Sequence, residues 1–391
     1  MHLLATCTRP AGQRGLIALA LLCGLLLGAA RPARAFAWEI DVTPAGELFA
    51  ALELSHAGPR RDDPNGDGNG LVSIRLRGEP LPRRVDLEIR TEGLRTPARL
   101  QVEPDARTRR GRLDLRPRLD WDPHALRALR AARSQRLEVT LVADGVVQSR
   151  SVMVRLHPLE EAPYYVREGR ERVDLGWIFA GYVDPSDTVV EEVLALARDA
   201  QPGFDPAAPR RGAVADLRRA NAVWAALEAR GLHYDDRDPA LGRGPVVWSQ
   251  RVRVPQATWR DRRANCIDSS VLIASVFERI GLDPLIVLVP GHAFVGYRNA
   301  DGSADYLETT MLGARAGALD SFERARAAGR ARWRKAAARL DGRHAPEYAI
   351  VDVRKARSVG ILPFPAAASA PTATAPRSRS GPAPVPGPPA A

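Results

Sequence analysis

Cys266 is the residue around which chemistry could be built. It stands in the run Asn265-Cys266-Ile267-Asp268. An Asn followed three residues later by a carboxylate is the pattern of a capping box at a helix start. A helix beginning there puts Cys266 at its first position. The thiolate rather than the thiol is the nucleophile, and the positive end of a helix favours the anion. Cys266 also begins a stripe with Ser270, Ile273, Phe277 and Ile280, and such a stripe by itself describes an ordinary core face.

A base for that thiol is at hand. His292 follows Pro290-Gly291 and the apolar run Leu285 to Val289. A histidine opening a strand beside a core helix can take the thiol proton. The imidazole then needs a carboxylate to hold it, and Asp305 and Glu308 are the candidates. Hairpin geometry chooses between them. A two-residue turn at Asp301-Gly302 pairs Ala300 with Ser303 and puts Asp305 on the His292 face. A three-residue loop, Ala300-Asp301-Gly302, pairs Asn299 with Ser303 and gives Gly302 the left-handed position such loops need. Glu308 then opposes Phe294, one diagonal step from His292, a gap of about 7–8 Å that a Glu side chain helps to close. Glu308 is the expected third member, with Asp305 in reserve.

Three blocks carry a resemblance. Asn265-Cys266-Ile267-Asp268, Gly291-His292-Ala293-Phe294 and Tyr306-Leu307-Glu308-Thr309-Thr310 resemble the Cys, His and Asp blocks of the transglutaminase-like superfamily. Gly281-Leu282-Asp283-Pro284 is similar to the turn that follows the cysteine helix in that family. The likeness spans roughly residues 185 to 360. It implies a papain-like α+β domain, with the Cys helix against an antiparallel sheet that carries the other two groups. It also implies acyl transfer through a thioester on Cys266, without a cofactor, on a protein or peptide substrate. Water resolving the thioester gives a peptidase or amidase, and a lysine gives a cross-link. Both stay open, as does a non-catalytic binding protein that keeps the fold. Glu308 stands where the family usually has Asp, and Phe294 where Trp is common. Beyond the Cys266 amide, Trp248 and Gln250 are the candidate oxyanion or substrate-binding residues. No Cys-x-x-Cys or His-x-x-x-His spacing supports a metal site.

The surrounding elements follow from pattern. Residues 36–160 carry short alternating runs bounded by Gly, Pro and Asn, such as Leu71 to Leu76, Val85 to Ile89, Leu137 to Val142 and Val147 to Leu156. They predict a β-sandwich-like domain, with a hairpin turn at Asp144-Gly145 and a short helix within Pro123 to Ser134. Asp63-Pro64-Asn65-Gly66-Asp67-Gly68 resembles half a calcium loop. Ile74 occupies the place of the bidentate Glu, so a plain surface turn is expected. Residues 163–362 form the second domain. Helices are predicted over Asp187 to Ala200, Ala213 to Gly231, Cys266 to Ile280 and 321–340, and strands over Leu285 to Val289, Tyr306 to Thr309 and Tyr348 to Val353. Residues 232–262, rich in Asp, Pro and Gly, read as irregular.

Composition bounds the setting. Arg14, the uncharged apolar run Leu16 to Ala30 and Ala33-Arg34-Ala35 make residues 1–35 an export signal, too short for a span of about 20 residues. A secreted or periplasmic protein follows, in contact with the cell envelope and with no membrane span after cleavage. Leu22 before Cys23 argues against a lipoprotein. Of the three cysteines, Cys7 and Cys23 fall in the leader, so Cys266 is left alone and no internal disulfide can form. The net charge of +11 comes from 57 basic residues, of which only Lys335 and Lys355 are lysines. They are scattered through the chain without a nucleic-acid motif, so no nucleic-acid partner is expected. Residues 365–391, rich in Pro and Ala, lack the apolar residues to build a core.

Overall fold

The computed structural model describes residues 36–365 apart from 56–61, 64, 69, 106–110, 237–243, 315–319 and 345. The expected export leader and all but Pro365 of the Pro-rich tail lie outside the described residues, as does Pro64 in the Asp63 to Gly68 turn. The fold is mixed α+β with several antiparallel sheets.

Two sheets dominate residues 37–157. One has three strands in the order Ala37–Val42, Val72–Gly78, Gly111–Leu115. The other has five, and its edge strand Glu47–Phe49 runs parallel to Val146–His157. Alternation explains both. Val85, Leu87 and Ile89 are buried on one face of Val85–Arg90, while Asp86 and Glu88 are not. Ile74 and Leu76 from the first sheet join Leu87, Ile89, Val139 and Leu141 from the second in one hydrophobic cluster. The turn between Arg133–Ala143 and Val146–His157 has Asp144 at φ 47° and Gly145 at φ 85°, as a two-residue primed hairpin turn requires.

The elements that position the site come later in the chain. A four-stranded antiparallel sheet has the order Ala304–Leu307, His292–Arg298, Asp283–Val289, Ala349–Asp352. The cysteine helix, Cys266–Arg279, packs on its two central strands. Phe277 of this helix meets Tyr297 edge-on at 5.2 Å between ring centroids. A second, arginine-rich helix, Ser321–Ala336, packs against strand Ala304–Leu307. There Trp333 stacks on Tyr306 at 4.4 Å, beside Leu285, Val287 and Phe294.

Part of the stretch expected to be irregular, residues 232–262, is regular, while 237–243 within it lie outside the described residues. Val247–Arg251 is a strand, paired with Glu161–Glu168 in a three-stranded sheet. Pro255–Asp261 is a helix that begins on its proline, where the missing N–H costs nothing. The abundance of Asp, Pro and Gly around these two short elements hid them from the pattern. Strand Ala304–Leu307 also stops sooner than expected, because Glu308 leaves the ladder and donates its N–H to Ala325 O of the arginine-rich helix at 3.0 Å.

That helix lies directly on the strand backbone at Gly329. A Cβ there would come within 2.6 Å of the Tyr306 carbonyl and 2.7 Å of Leu307 N. Ala gains about 1 kcal/mol over Gly in helix propensity, whereas overpacking costs about 1–3 kcal/mol. Backbone cannot yield as a flexible side chain would, so the second effect wins. We expect Gly329→Ala to lower the urea midpoint despite its better helix propensity. A raised midpoint would show that the helix is free to move off the strand.

Candidate active site

The local sequence folds the thiol into place. Asn265 caps the cysteine helix, its side chain accepting from Ile267 N at 3.1 Å and Asp268 N at 2.9 Å. Asp268 returns the bond by accepting from Asn265 N at 3.3 Å. This cap engages the N–H groups on either side of Cys266 and leaves that of Cys266 itself out. Cys266 occupies the first helical position, partly buried, with a free thiol.

Asp268 does more than complete the cap. It is fully buried and accepts from Arg253 N at 2.8 Å and Arg253 Nε at 2.9 Å. Burial pushes its carboxyl pKa up, and the Arg253 and Asn265 donors pull against that. The pair fastens the start of the cysteine helix to the segment that follows strand Val247–Arg251.

His292 Nε2 lies 3.0 Å from both carboxylate oxygens of Glu308. Cys266 and His292 line the same cleft, close enough for the thiol group to act on the charge of the imidazole. Glu308 also caps the short turn Thr309–Met311, accepting from Thr310 N at 3.2 Å and Thr310 Oγ1 at 2.8 Å. Arg332 Nε of the arginine-rich helix donates to its other oxygen at 2.5 Å. Thr309 Oγ1 donates to Cys266 O at 3.3 Å, which ties this turn to the cysteine helix.

The electrostatics follow from burial and partners. The Glu308 side chain is 4 % exposed and that of His292 13 %. Burial favours the neutral imidazole, yet the influence of Cys266 and the bond to Glu308 overcome it and raise His292 to about 9. Burial likewise favours a neutral Glu308, and His292, Thr310 and Arg332 outweigh it, lowering the carboxyl to about 2. Tyr234 is pushed up by burial and by the charges of Cys266 and Glu308.

The hairpin register decides between the two carboxylates. Asn299 N donates to Ser303 O at 2.7 Å, and Val295 pairs with Leu307. The loop therefore has three residues, with Gly302 at φ 83°. Asp305 opposes Tyr297 and is bound by Arg326 Nε at 2.7 Å. The structure does not bring it to His292. Glu308 reaches His292 from just beyond the strand end, instead of from a ladder position opposite Phe294. Phe294 is buried, its ring stacked near His292 at 6.3 Å between centroids.

Trp248 and Gln250 share one face of their strand, while Ser249 between them turns to Glu161. Both line a cleft that also includes Cys266 and His292. The Gln250 amide donates to Arg251 O at 3.1 Å. Sequence reasoning missed Arg332, Thr310, and the cleft residues Tyr164, Phe179 and Pro346. A side-chain cap signal was present in Glu308-Thr309-Thr310. Nothing local marks Arg332 among the arginines of its helix.

Among the described residues, no group of three or more His, Cys, Asp or Glu side chains could hold a metal ion. None of their helices is long and apolar enough to cross a membrane. No protein-family model matches the chain, and no curated protein matches it.

Two predictions follow from these contacts. Asp268→Ala takes from the buried Arg253 its closer carboxylate and leaves Asp261 at 3.7 Å, and we expect a loss of about 3 kcal/mol in urea unfolding; a loss under about 1 kcal/mol would mean that the pair is not a clamp. The second concerns pH. His292 binds its proton more tightly folded than unfolded, so its stabilisation is full below 6.5 and is lost as pH rises through about 9. Glu308 has the opposite sign, and its stabilisation is present above 4.5 and lost as pH falls through about 2. Wild-type stability should therefore decline from pH 6.5 to about 9, and Glu308→Gln should flatten that decline. An equal slope in both proteins would contradict the pairing.

Proposed function

We propose that the chain is a thiol-dependent acyl-transfer enzyme of transglutaminase-like, papain-like type, acting outside the cytoplasm on a protein or peptide. One observation carries this: a single imidazole bonded to a buried carboxylate lines one cleft with the thiol of a helix-start cysteine. Nucleophile, base and orienting group in sequence are what covalent catalysis requires.

The steps follow from that order. Cys266 gives its proton to His292, and Glu308 stabilises the imidazolium. The sulfur attacks an amide carbonyl carbon, and the oxyanion forms toward the Cys266 N–H. Losing one such donor typically costs about 3 kcal/mol of barrier. The C–N bond breaks as His292 passes its proton to the leaving nitrogen, giving a thioester and a free amine. A water, or an amine in a cross-linking reaction, then attacks the thioester and gives a proton to His292. The C–S bond breaks, the acyl product leaves and the Cys266–His292 pair is restored.

The test is the rate at which iodoacetamide alkylates Cys266, followed by intact mass. The rate reads how far His292 favours attack by the sulfur. We expect His292→Ala to slow alkylation by about 10-fold or more. Equal rates in the two proteins would refute the catalytic pairing.

A further inference from the structure

The cleft beside Cys266 is more selective than the triad alone. Its walls come from several separate parts of the chain. Tyr164 and Trp248 stand on neighbouring strands, 6.4 Å apart edge to face, and Phe179 lies 6.1 Å from Tyr164. Leu288 and Val289 end the strand that leads into the Pro290-Gly291 turn before His292, and Pro346 closes a third side. Leu288 and Val289 keep part of their surface open, although the strand interior before them is buried. The cleft encloses about 140 Å³. Small-molecule and cofactor sites generally run to about 300 Å³ or more, so this volume suits one side chain rather than a cofactor.

Charge points the same way. Among the described lining residues the only carboxylate is Glu347, which is exposed at the rim, and the only cation is His292 itself. Among the described residues, neither Lys nor Arg lines the cleft, although the chain has 57 such residues. An anionic side chain entering here would lose its hydration and find only the imidazole that the reaction needs.

We propose that the acyl donor of Cys266 carries an apolar side chain, of leucine to phenylalanine size, next to the reacting carbonyl, and that Trp248 is a main determinant of that choice. This substrate class rests on the acyl-transfer activity proposed above. It gives Trp248 a role in gripping the substrate rather than in stabilising the oxyanion.

A set of acetyl-aminoacyl chloromethyl ketones tests it, with Gly, Leu, Phe, Lys or Glu as the residue. In each, the Cys266 sulfur displaces chloride and forms a thioether, so no turnover is needed. Intact mass gives the alkylation rate, and iodoacetamide, which has no side chain, is the reference. Apolar contact in a pocket is worth about 10–200-fold per methylene-sized difference. We expect Leu and Phe to react about 10-fold or more faster than Gly and Glu. Trp248→Ala should remove most of that preference and Trp248→Phe should retain it. A flat series, or a fastest rate for Glu or for Lys, overturns the substrate class. If iodoacetamide labelling still depends on His292 in that case, the catalytic pairing stands. Loss of the His292 dependence overturns the pairing and the substrate class with it.

Discussion

A carboxylate almost sealed from water stays charged only if its neighbours make it so. Glu308 is 3 % exposed, and an isolated buried carboxylate would take up a proton instead. Its charge is kept by an imidazole, a guanidinium and two donors of Thr310. The rest of the site depends on this arrangement. A charged Glu308 supports a charged His292, the group that faces the same cleft as Cys266. Remove the carboxylate, and one of the two groups that hold the imidazole charged against burial is gone.

The arrangement requires elements far apart in sequence to meet. The cysteine helix is fixed at its start by the Asn265 cap and by the Asp268–Arg253 pair. The histidine opens a strand next to it in space. Glu308 belongs to neither helix nor ladder, and its backbone is held by Ala325 while its side chain is held by Arg332. Both of those residues lie on the arginine-rich helix, whose close seat at Gly329 sets how near Arg332 comes. A Glu suits this place because its longer side chain reaches His292 from outside the strand while caring for a short turn and a guanidinium. The helix that looks in sequence like a solvated basic segment is therefore part of the support of the site.

Much of this was legible in the sequence. The cap on Cys266 is a local pattern of side chain and backbone three residues apart, and it formed as the spacing dictates. The choice of Glu308 over Asp305 came from counting a hairpin loop, because register is fixed by loop length and by the glycine that must take a positive φ. Other parts were not legible. The strand Val247–Arg251 is short and set in turn-forming residues, so its alternation is too brief to register. Its partner, Glu161–Glu168, is more than eighty residues earlier, and no local pattern announces such a pairing. Arg332 is one of several arginines on one helix, and only packing singles it out. The aromatic wall of the cleft is assembled from three chain segments, so its apolar character exists only in the fold.

The protonation of His292 is the plainest readout of the site. NMR titration of the imidazole in wild type and in Glu308→Gln reads the charge that the whole site is built to hold. Wild-type His292 should stay protonated up to about 9, and the Gln variant should titrate well below that. A wild-type midpoint near the unperturbed 6.5, unchanged in Glu308→Gln, would contradict the pairing.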